Sequence, residues 1–262
     1  DEIVHRRVLN SVAFMIPELA LDVTPPEIAQ QVYRVVYENT GENDPYRYAK
    51  RRADDLAMSF YPLMKDRVDY SDDPLQTACK LAIGGNAIDL GAQAEYSDMN
   101  TIIEESLSCA LNLEDYKLFK QSITDASSIL YIGDNAGEVV FDRILTEQIL
   151  KINSNNIVYV VREKPIINDA TIEDTIRVGL DKVVKVISSG SVAPATILSQ
   201  CSPEMKSMYN SADVIIAKGQ GNYESLCNSP ENIFFFFKVK CPVIARDCGY
   251  DIGTLALISN SS

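Results

Sequence analysis

The stretch Ser127-Ser128-Ile129-Leu130-Tyr131-Ile132-Gly133-Asp134-Asn135-Ala136-Gly137-Glu138 decides the fold. It reads as a short apolar strand that ends in a glycine and runs into a polar turn. More apolar segments follow: NNIVYVV from Asn155, DKVVKVI from Asp181, ADVIIAKG from Ala212 and IFFFFKV from Ile233, with CPVIA from Cys241 close behind. Helical segments separate most of them, such as EVVFDRILTEQILK from Glu138 and TIEDTIRVG from Thr171. Buried strands alternating with helices predict an α/β fold, a Rossmann-like three-layer α/β/α arrangement around a mainly parallel sheet. The run Phe234–Phe237 is read as buried strand and carries no functional meaning.

Upstream the pattern is helical. Val4, Val8, Val12, Met15, Ile16 and Leu19 recur at helical spacing. Thr24-Pro25-Pro26-Glu27 supplies a cap residue, a proline at the first helical position and a capping-box glutamate. Asp44-Pro45 and Asp73-Pro74 repeat the cap-then-proline signal. The expected division is therefore a helical domain over residues 1–122 and an α/β domain over 123–262 that carries the metal site. The change at 122–127 is one of structural type, with no composition of a flexible tether.

The chain of 262 residues carries 24 Lys and Arg against 37 Asp and Glu, a net charge of -13. Such a surface repels nucleic acid and anionic membranes, so neither is an expected partner. It also repels phosphate, so a phosphate site needs a metal, a lysine or backbone N–H groups. The single histidine, His5, nearly excludes multi-histidine metal sites and histidine triads. Any metal must sit on oxygen ligands, which favours hard cations. The six cysteines form no C-x-x-C pair and are read as reduced, mostly buried thiols of a cytoplasmic protein. No apolar run reaches the roughly 18 residues that span a bilayer, and no signal peptide is visible. The chain begins at Asp1, inside what reads as helix, and is expected to lack a few residues of the full protein.

In open α/β sheets, ligands bind beyond the carboxyl ends of the strands. Asp134 and Asn135 follow the first strand in a turn made tight by Gly133 and Gly137. Asp169 follows the second, where Asn168-Asp169-Ala170-Thr171 enters a helix. Either aspartate alone is more simply a helix cap; together at neighbouring strand ends, with Asn135, they suit a hard divalent ion. Lys218 ends a later strand and opens Gly219-Gln220-Gly221-Asn222, a turn able to approach a phosphate. A solvated lysine on a plain βα turn fits that segment equally well. Neither turn completes a dinucleotide fingerprint or a P-loop. Gly84-Gly85-Asn86, with Asp89 beyond, interrupts an apolar helical run. Each helical glycine costs about 1 kcal/mol, which tight helix packing or an approach to a ligand would explain.

Taken in order, LYIGDNAGEVVFDR, VVREKPIINDATIEDT, ADVIIAKGQGNYESL and CPVIARDCG resemble the damage-control phosphatase family, formerly a domain of unknown function numbered eighty-nine. DPLQTACKLAIGGNAIDLG and DPYRYAKRRADDLA resemble its helical region, so the similarity spans nearly the whole chain, and the small prokaryotic-type branch fits best. The resemblance implies a helical part joined to a Rossmann-like part. It implies hydrolysis of small phosphorylated metabolites, such as sugar phosphates or phosphopantetheine-like compounds, often damaged ones. The cofactor implied is a divalent metal: magnesium, manganese, cobalt or nickel. Its metal residues fall on Asp134, Asn135 and Asp169; Asp134 and Lys218 are the implied catalytic pair; Asn86, Gly219 and Gly221 are expected at the substrate. Two departures stand out. Glu163 replaces a glycine frequent in relatives, and the N-terminal C-x-x-C of this branch would precede Asp1.

Two other functions compete. A carboxyl methyltransferase would bind S-adenosylmethionine at Gly133–Glu138; such sites show a richer glycine loop and an acidic residue at the next strand end, where this chain has Arg162. A non-catalytic metabolite-binding protein would not need the intact ligand set.

Overall fold

A computed structural model describes residues 2–20, 23–86, 96–154 and 156–260, without the side chains of 96–98. Asp89 lies outside the described residues. In chain order the helices are α1 (Glu2–Met15), α2 (Pro25–Thr40), α3 (Arg47–Asp69), α4 (Pro74–Gly85), α5 (Tyr96–Ser108), α6 (Leu113–Asp125), α7 (Glu138–Ile152), α8 (Ile172–Arg177), α9 (Pro203–Ser211), α10 (Gln220–Leu226) and α11 (Pro242–Cys248). The strands are β1 (Ser128–Ile132), β2 (Asn156–Val161), β3 (Lys185–Ser188), β4 (Val214–Lys218), β5 (Ile233–Lys238) and β6 (Leu255–Ser259).

The six strands form one sheet in the order β3-β2-β1-β4-β5-β6. The first five are parallel, and β6 closes the edge antiparallel to β5. This is the doubly wound α/β plan expected from the sequence. Its strand order reverses between β1 and β4, and the crevice at such a reversal is where ligands bind. Asp134 follows β1 and Gly219 follows β4, so both border that crevice.

Alternate side chains enter two cores, as the pleat requires. Ile129, Tyr131, Tyr159, Ile216, Phe234 and Phe236 face one core with α3, α4, α6 and α7. Leu130, Ile132, Val160, Ile215, Phe235 and Phe237 face the other with α9, α10 and α11. The phenylalanine run is thus a central strand buried on both faces. Phe119 of α6 meets Phe234 and Phe236 edge-on at 5.2 Å, and Tyr223 of α10 meets Phe235 at 5.1 Å. Residues on both sides of position 122 share the first core. Helix α4 packs on β5 and β6 and α6 packs on β6, while α3 packs on α4 and α7.

Local signals acted much as their chemistry dictates. Glu27 Oε2 accepts from the Thr24 amide (2.7 Å) and hydroxyl (2.8 Å), the expected capping box. Asp73 accepts the Gln76 amide at 3.2 Å and opens α4. The Asp44-Pro45 signal misplaces a boundary: α3 starts at Arg47, because the Asp44 carboxylate turns to Lys50 (3.8 Å) and Arg47 (4.0 Å). Cys241-Pro242-Val243-Ile244-Ala245 caps and opens α11 rather than extending the apolar strand before it. Gly84 and Gly85 do not interrupt α4, which runs through both to its cap at Asn86, and they answer to close packing: a Cβ at Gly84 would lie 1.7 Å from Ser106 Oγ of α5, and one at Gly85 would lie 3.0 Å from Phe141 of α7. All six thiols are free, but only Cys79 and Cys201 are buried, fewer than expected. No helix among the described residues is long and apolar enough to cross a membrane.

Candidate active site

After β2 the chain folds back beside the turn that follows β1. Ala136 donates to the Asn168 carbonyl at 2.9 Å and Ala170 donates to the Asp134 carbonyl at 2.8 Å. That exchange sets Asn135 opposite Asp169 in an isolated antiparallel bridge. The backbone therefore brings Asp134 and Asn135 beside Asp169, which lies 35 positions after Asp134 in the sequence (169 − 134).

Asn86, at the end of α4, reaches into the same place. Its Nδ2 donates to Asp134 Oδ2 (3.0 Å) and to Glu138 Oε1 (2.8 Å). Asn135 Nδ2 repeats the pattern, to Asp134 Oδ2 (2.9 Å) and Glu138 Oε1 (2.7 Å). Two amides thus hold two carboxylates side by side. Glu138, the first residue of α7, is wholly buried. Asp134 and Asn135 stay partly accessible, while Asp169 is buried.

The cations are taken up by acids. Lys218 is fully buried, with Nζ 2.6 Å from Asp142 Oδ1 and 3.2 Å from Glu138 Oε2. Asp142 also accepts the hydroxyls of Tyr131 (2.8 Å) and Tyr159 (2.7 Å). Arg162, the residue after β2, places Nε 2.8 Å from Asp169 Oδ2 and also donates to Thr196 Oγ1 (3.3 Å) and the Gly133 carbonyl (3.4 Å). Lys218, the implied catalytic lysine, is the counterion of two carboxylates.

Titration follows from this geometry. Burial, then the charges of Glu138 and Asp169, holds Asp134 well above the ordinary carboxylate range. Burial raises Asp169 too, with Arg162 pulling back. Burial alone would lower Lys218, yet Asp142 and Glu138 hold it above its usual value. Four carboxylates (Asp134, Glu138, Asp142, Asp169) face two buried cations (Lys218, Arg162), and the charge of Lys240 also acts on Asp134. Among the described residues no three His, Cys, Asp or Glu side chains form a ready metal cluster. Asp134, Asn135 and Asp169 are two carboxylates and an amide, a donor set with hard-cation chemistry. A divalent ion would relieve the repulsion that raises Asp134, so these residues fit the group.

Gly219 sits at φ +82°, and a Cβ there would lie 2.0 Å from Asp134 Oδ2. At Gly221 a Cβ would meet the Ala195 methyl at 3.1 Å, so this glycine serves the fit of α10 against the segment after β3. Ala195 itself has φ +58°, and its amide donates to Asp169 Oδ2 at 3.4 Å. Ile167, on the other side of Asp169, has φ +47°. Backbone strain in β-branched residues is rare and gathers at functional sites. Glu163 does not enter the site: it is exposed, bonded to the Ser188 hydroxyl, and its amide donates to Ser191 at 3.0 Å.

A cavity of about 660 Å³ adjoins the Asp169 turn. Its walls include Tyr33 and Arg34 of α2, Asn43, Lys164, Ile167 and Gln200. At Tyr33, burial and the Tyr46 hydroxyl, 3.1 Å away, raise the pKa, and the Asp169 charge adds to the rise. Sequence reasoning did not single out Glu138, Asp142 or the Arg162–Asp169 pair. Glu138 carried one signal, an acid three residues after Asn135 at a helix start, which reads equally as a dipole partner.

Fold and site together define a doubly wound α/β protein with an acidic, amide-braced centre at its topological switch point. The sequence matches the damage-control phosphatase ARMT1-like domain over residues 2–255, and the chain belongs to that family. A damage-control phosphatase of Pyrococcus horikoshii is 35% identical over 260 residues, 99% of this chain and 90% of that protein. One of Archaeoglobus fulgidus is 35% identical over 233 residues, covering 87% and 80%. The crystal structure of a DUF89 family protein from P. horikoshii superposes with a TM-score of 0.92 at 35% identity, covering 99% of this chain and 91% of that one. The family and these relatives make the chain a phosphatase of the damage-control kind.

Proposed function

We propose that this protein is a metal-dependent phosphomonoesterase acting on small phosphorylated metabolites, with its divalent ion held by Asp134, Asn135 and Asp169. The reading rests on one observation above all: an excess of buried carboxylates, braced by Asn86 and Asn135, at the switch point of a phosphatase-family fold. A bound divalent ion (magnesium, manganese, cobalt or nickel) would polarise the phosphoryl oxygens and lower the pKa of the attacking water.

The chain's own residues supply the rest. Asn86 and Asn135 orient Asp134 and Glu138 and keep their oxygens together. Lys218 provides a fixed positive charge; two of its three N–H donors serve Asp142 and Glu138, which leaves one for a phosphoryl oxygen. The Gly219 amide donates to the Phe236 carbonyl at 2.9 Å, so the Gly221 amide, at the head of α10, is the candidate backbone donor to the phosphate. The alcohol part of the ester has room in the cavity bounded by Tyr33 and Ile167, whose volume lies within the roughly 300–1,000 Å³ of small-molecule sites.

The test is a screen of phosphomonoesters, p-nitrophenyl phosphate among them, against each metal. Turnover that disappears with chelator and returns with metal is expected. Turnover indifferent to chelator, or binding without turnover, would overturn the reading.

A further inference from the structure

Asp54 lies on α3, in the helical layer, and its side chain is wholly buried. Its Oδ1 accepts the Gly137 amide at 2.7 Å. Gly137 follows Asp134, Asn135 and Ala136 and caps α7, whose first residue is Glu138. It stands at φ +82°, and a Cβ there would lie 3.0 Å from the methyl of Ala53. Neighbouring residues of α3 therefore grip one point of the turn, Ala53 by contact and Asp54 by hydrogen bond. The second oxygen, Asp54 Oδ2, is buried with no hydrogen-bond partner. A buried carboxylate with one oxygen unpaired is an expensive arrangement if its only purpose is to fill space. The charges of Asp174, Arg177 and Lys50 act on the same side chain.

We propose that Asp54 is a positioning residue: from α3 it fixes the Gly137 amide, and with it the turn that presents Asp134, Asn135 and Glu138. Asp54 touches none of these three through any hydrogen bond of its own, so its action runs through the backbone. The inference rests on the proposed metal site for its functional consequence. The positioning itself can be measured without metal.

Asp54→Asn keeps an oxygen able to accept from Gly137. Asp54→Ala removes the acceptor, and Asp54→Ser leaves one too short to reach. The first measurement is amide hydrogen exchange across residues 133–140 in chelator. Exchange in Asp54→Ala and Asp54→Ser is expected to rise about tenfold, the scale of one lost hydrogen bond, with Asp54→Asn close to wild type. Calorimetry with manganese is the second. The truncations are expected to bind about tenfold more weakly, while Asp54→Asn binds as wild type does. Unchanged exchange in the truncations overturns the proposal, as does equal damage in Asp54→Asn. Failure of both truncations to fold beside an intact Asp54→Asn would assign Asp54 to folding and overturn it too. If wild type binds no manganese, the metal reading fails by itself and the exchange result still decides on Asp54.

Discussion

Gly219 and Asp134 approach so closely that no side chain can stand between them: a Cβ on Gly219 would fall 2.0 Å from Asp134 Oδ2 and 2.4 Å from its Cγ. The glycine is needed for its backbone too, since φ +82° with ψ 153° is a region confined almost wholly to glycine and costs other residues about 1–3 kcal/mol. Gly219→Ala is therefore expected to displace the Asp134 carboxylate. Manganese affinity should fall at least about tenfold, equivalent to roughly 1.4 kcal/mol, and the melting temperature in chelator should fall with it. Calorimetry and thermal unfolding check both; normal affinity would mean the carboxylate can sit elsewhere and still bind.

The Asp54 carboxyl carries a pH dependence with a definite sign. Burial, reinforced by Asp174, pushes its pKa to about 7, although the Gly137 amide, Arg177 and Lys50 pull the other way. A carboxyl raised above its unfolded value of about 4 contributes fully at low pH and loses that contribution as pH rises from about 4 to 7. Three units correspond to roughly 4 kcal/mol as an order of magnitude. Asp54→Asn, which does not titrate, should gain stability relative to wild type between pH 5 and pH 8. Urea unfolding at the two pH values, in chelator, measures the difference. A gap that stays constant would mean Asp54 ionises as an ordinary aspartate.

The helical layer offers a test of why α4 carries glycine at position 84. A Cβ there would meet Ser106 Oγ at 1.7 Å and Ser106 Cβ at 2.6 Å, with the Ser106 backbone at 3.7 Å. The obstacle is the serine side chain alone. Gly84→Ala should therefore destabilise by about 1–3 kcal/mol, the usual scale of overpacking. Adding Ser106→Gly should restore much of the loss despite a second helical glycine. Unfolding of the two single variants and the double variant gives the coupling. Losses that merely add would show that another contact sets the distance between α4 and α5.

Strands bounded by glycine and turn residues were legible because burial on both faces imposes uninterrupted apolar runs, as at Ile129–Ile132 and Ile157–Val161. Asp134, Asn135, Asp169 and Lys218 were legible because strand ends are where a parallel sheet exposes its ligand groups. Other partners were hidden by tertiary distance. Asp54 reaches Gly137 across 83 positions, and its setting in RRADDLA reads as a solvated helix face. Arg162 and Asp169 pair because the chain folds back after β2, a turn that no periodicity marks. β6 escaped notice because Leu255–Ser259 pairs antiparallel at an edge and is only partly buried.

Lys218 is the residue whose placement most changes what its removal should do. A lysine standing free beside a phosphate could be cut back with little loss of stability. This one neutralises Asp142 and Glu138 inside the protein, at 2.6 and 3.2 Å. Breaking a buried pair by removing one partner costs roughly 3–5 kcal/mol, because the remaining charge is left uncompensated. Lys218→Ala is therefore expected to lower the melting temperature as well as turnover, the latter by about 10²–10³ if the ammonium also steadies the transferred phosphoryl group. Adding Asp142→Asn removes one of the orphaned carboxylates and keeps a partner for the Tyr131 and Tyr159 hydroxyls. The double variant should recover part of the lost stability and none of the lost turnover. Thermal unfolding in chelator reads the first quantity, and p-nitrophenyl phosphate turnover at saturating manganese reads the second. Turnover that returns along with stability would make Lys218 a structural counterion only, and the phosphate would then have to be held by the backbone amides at the start of α10.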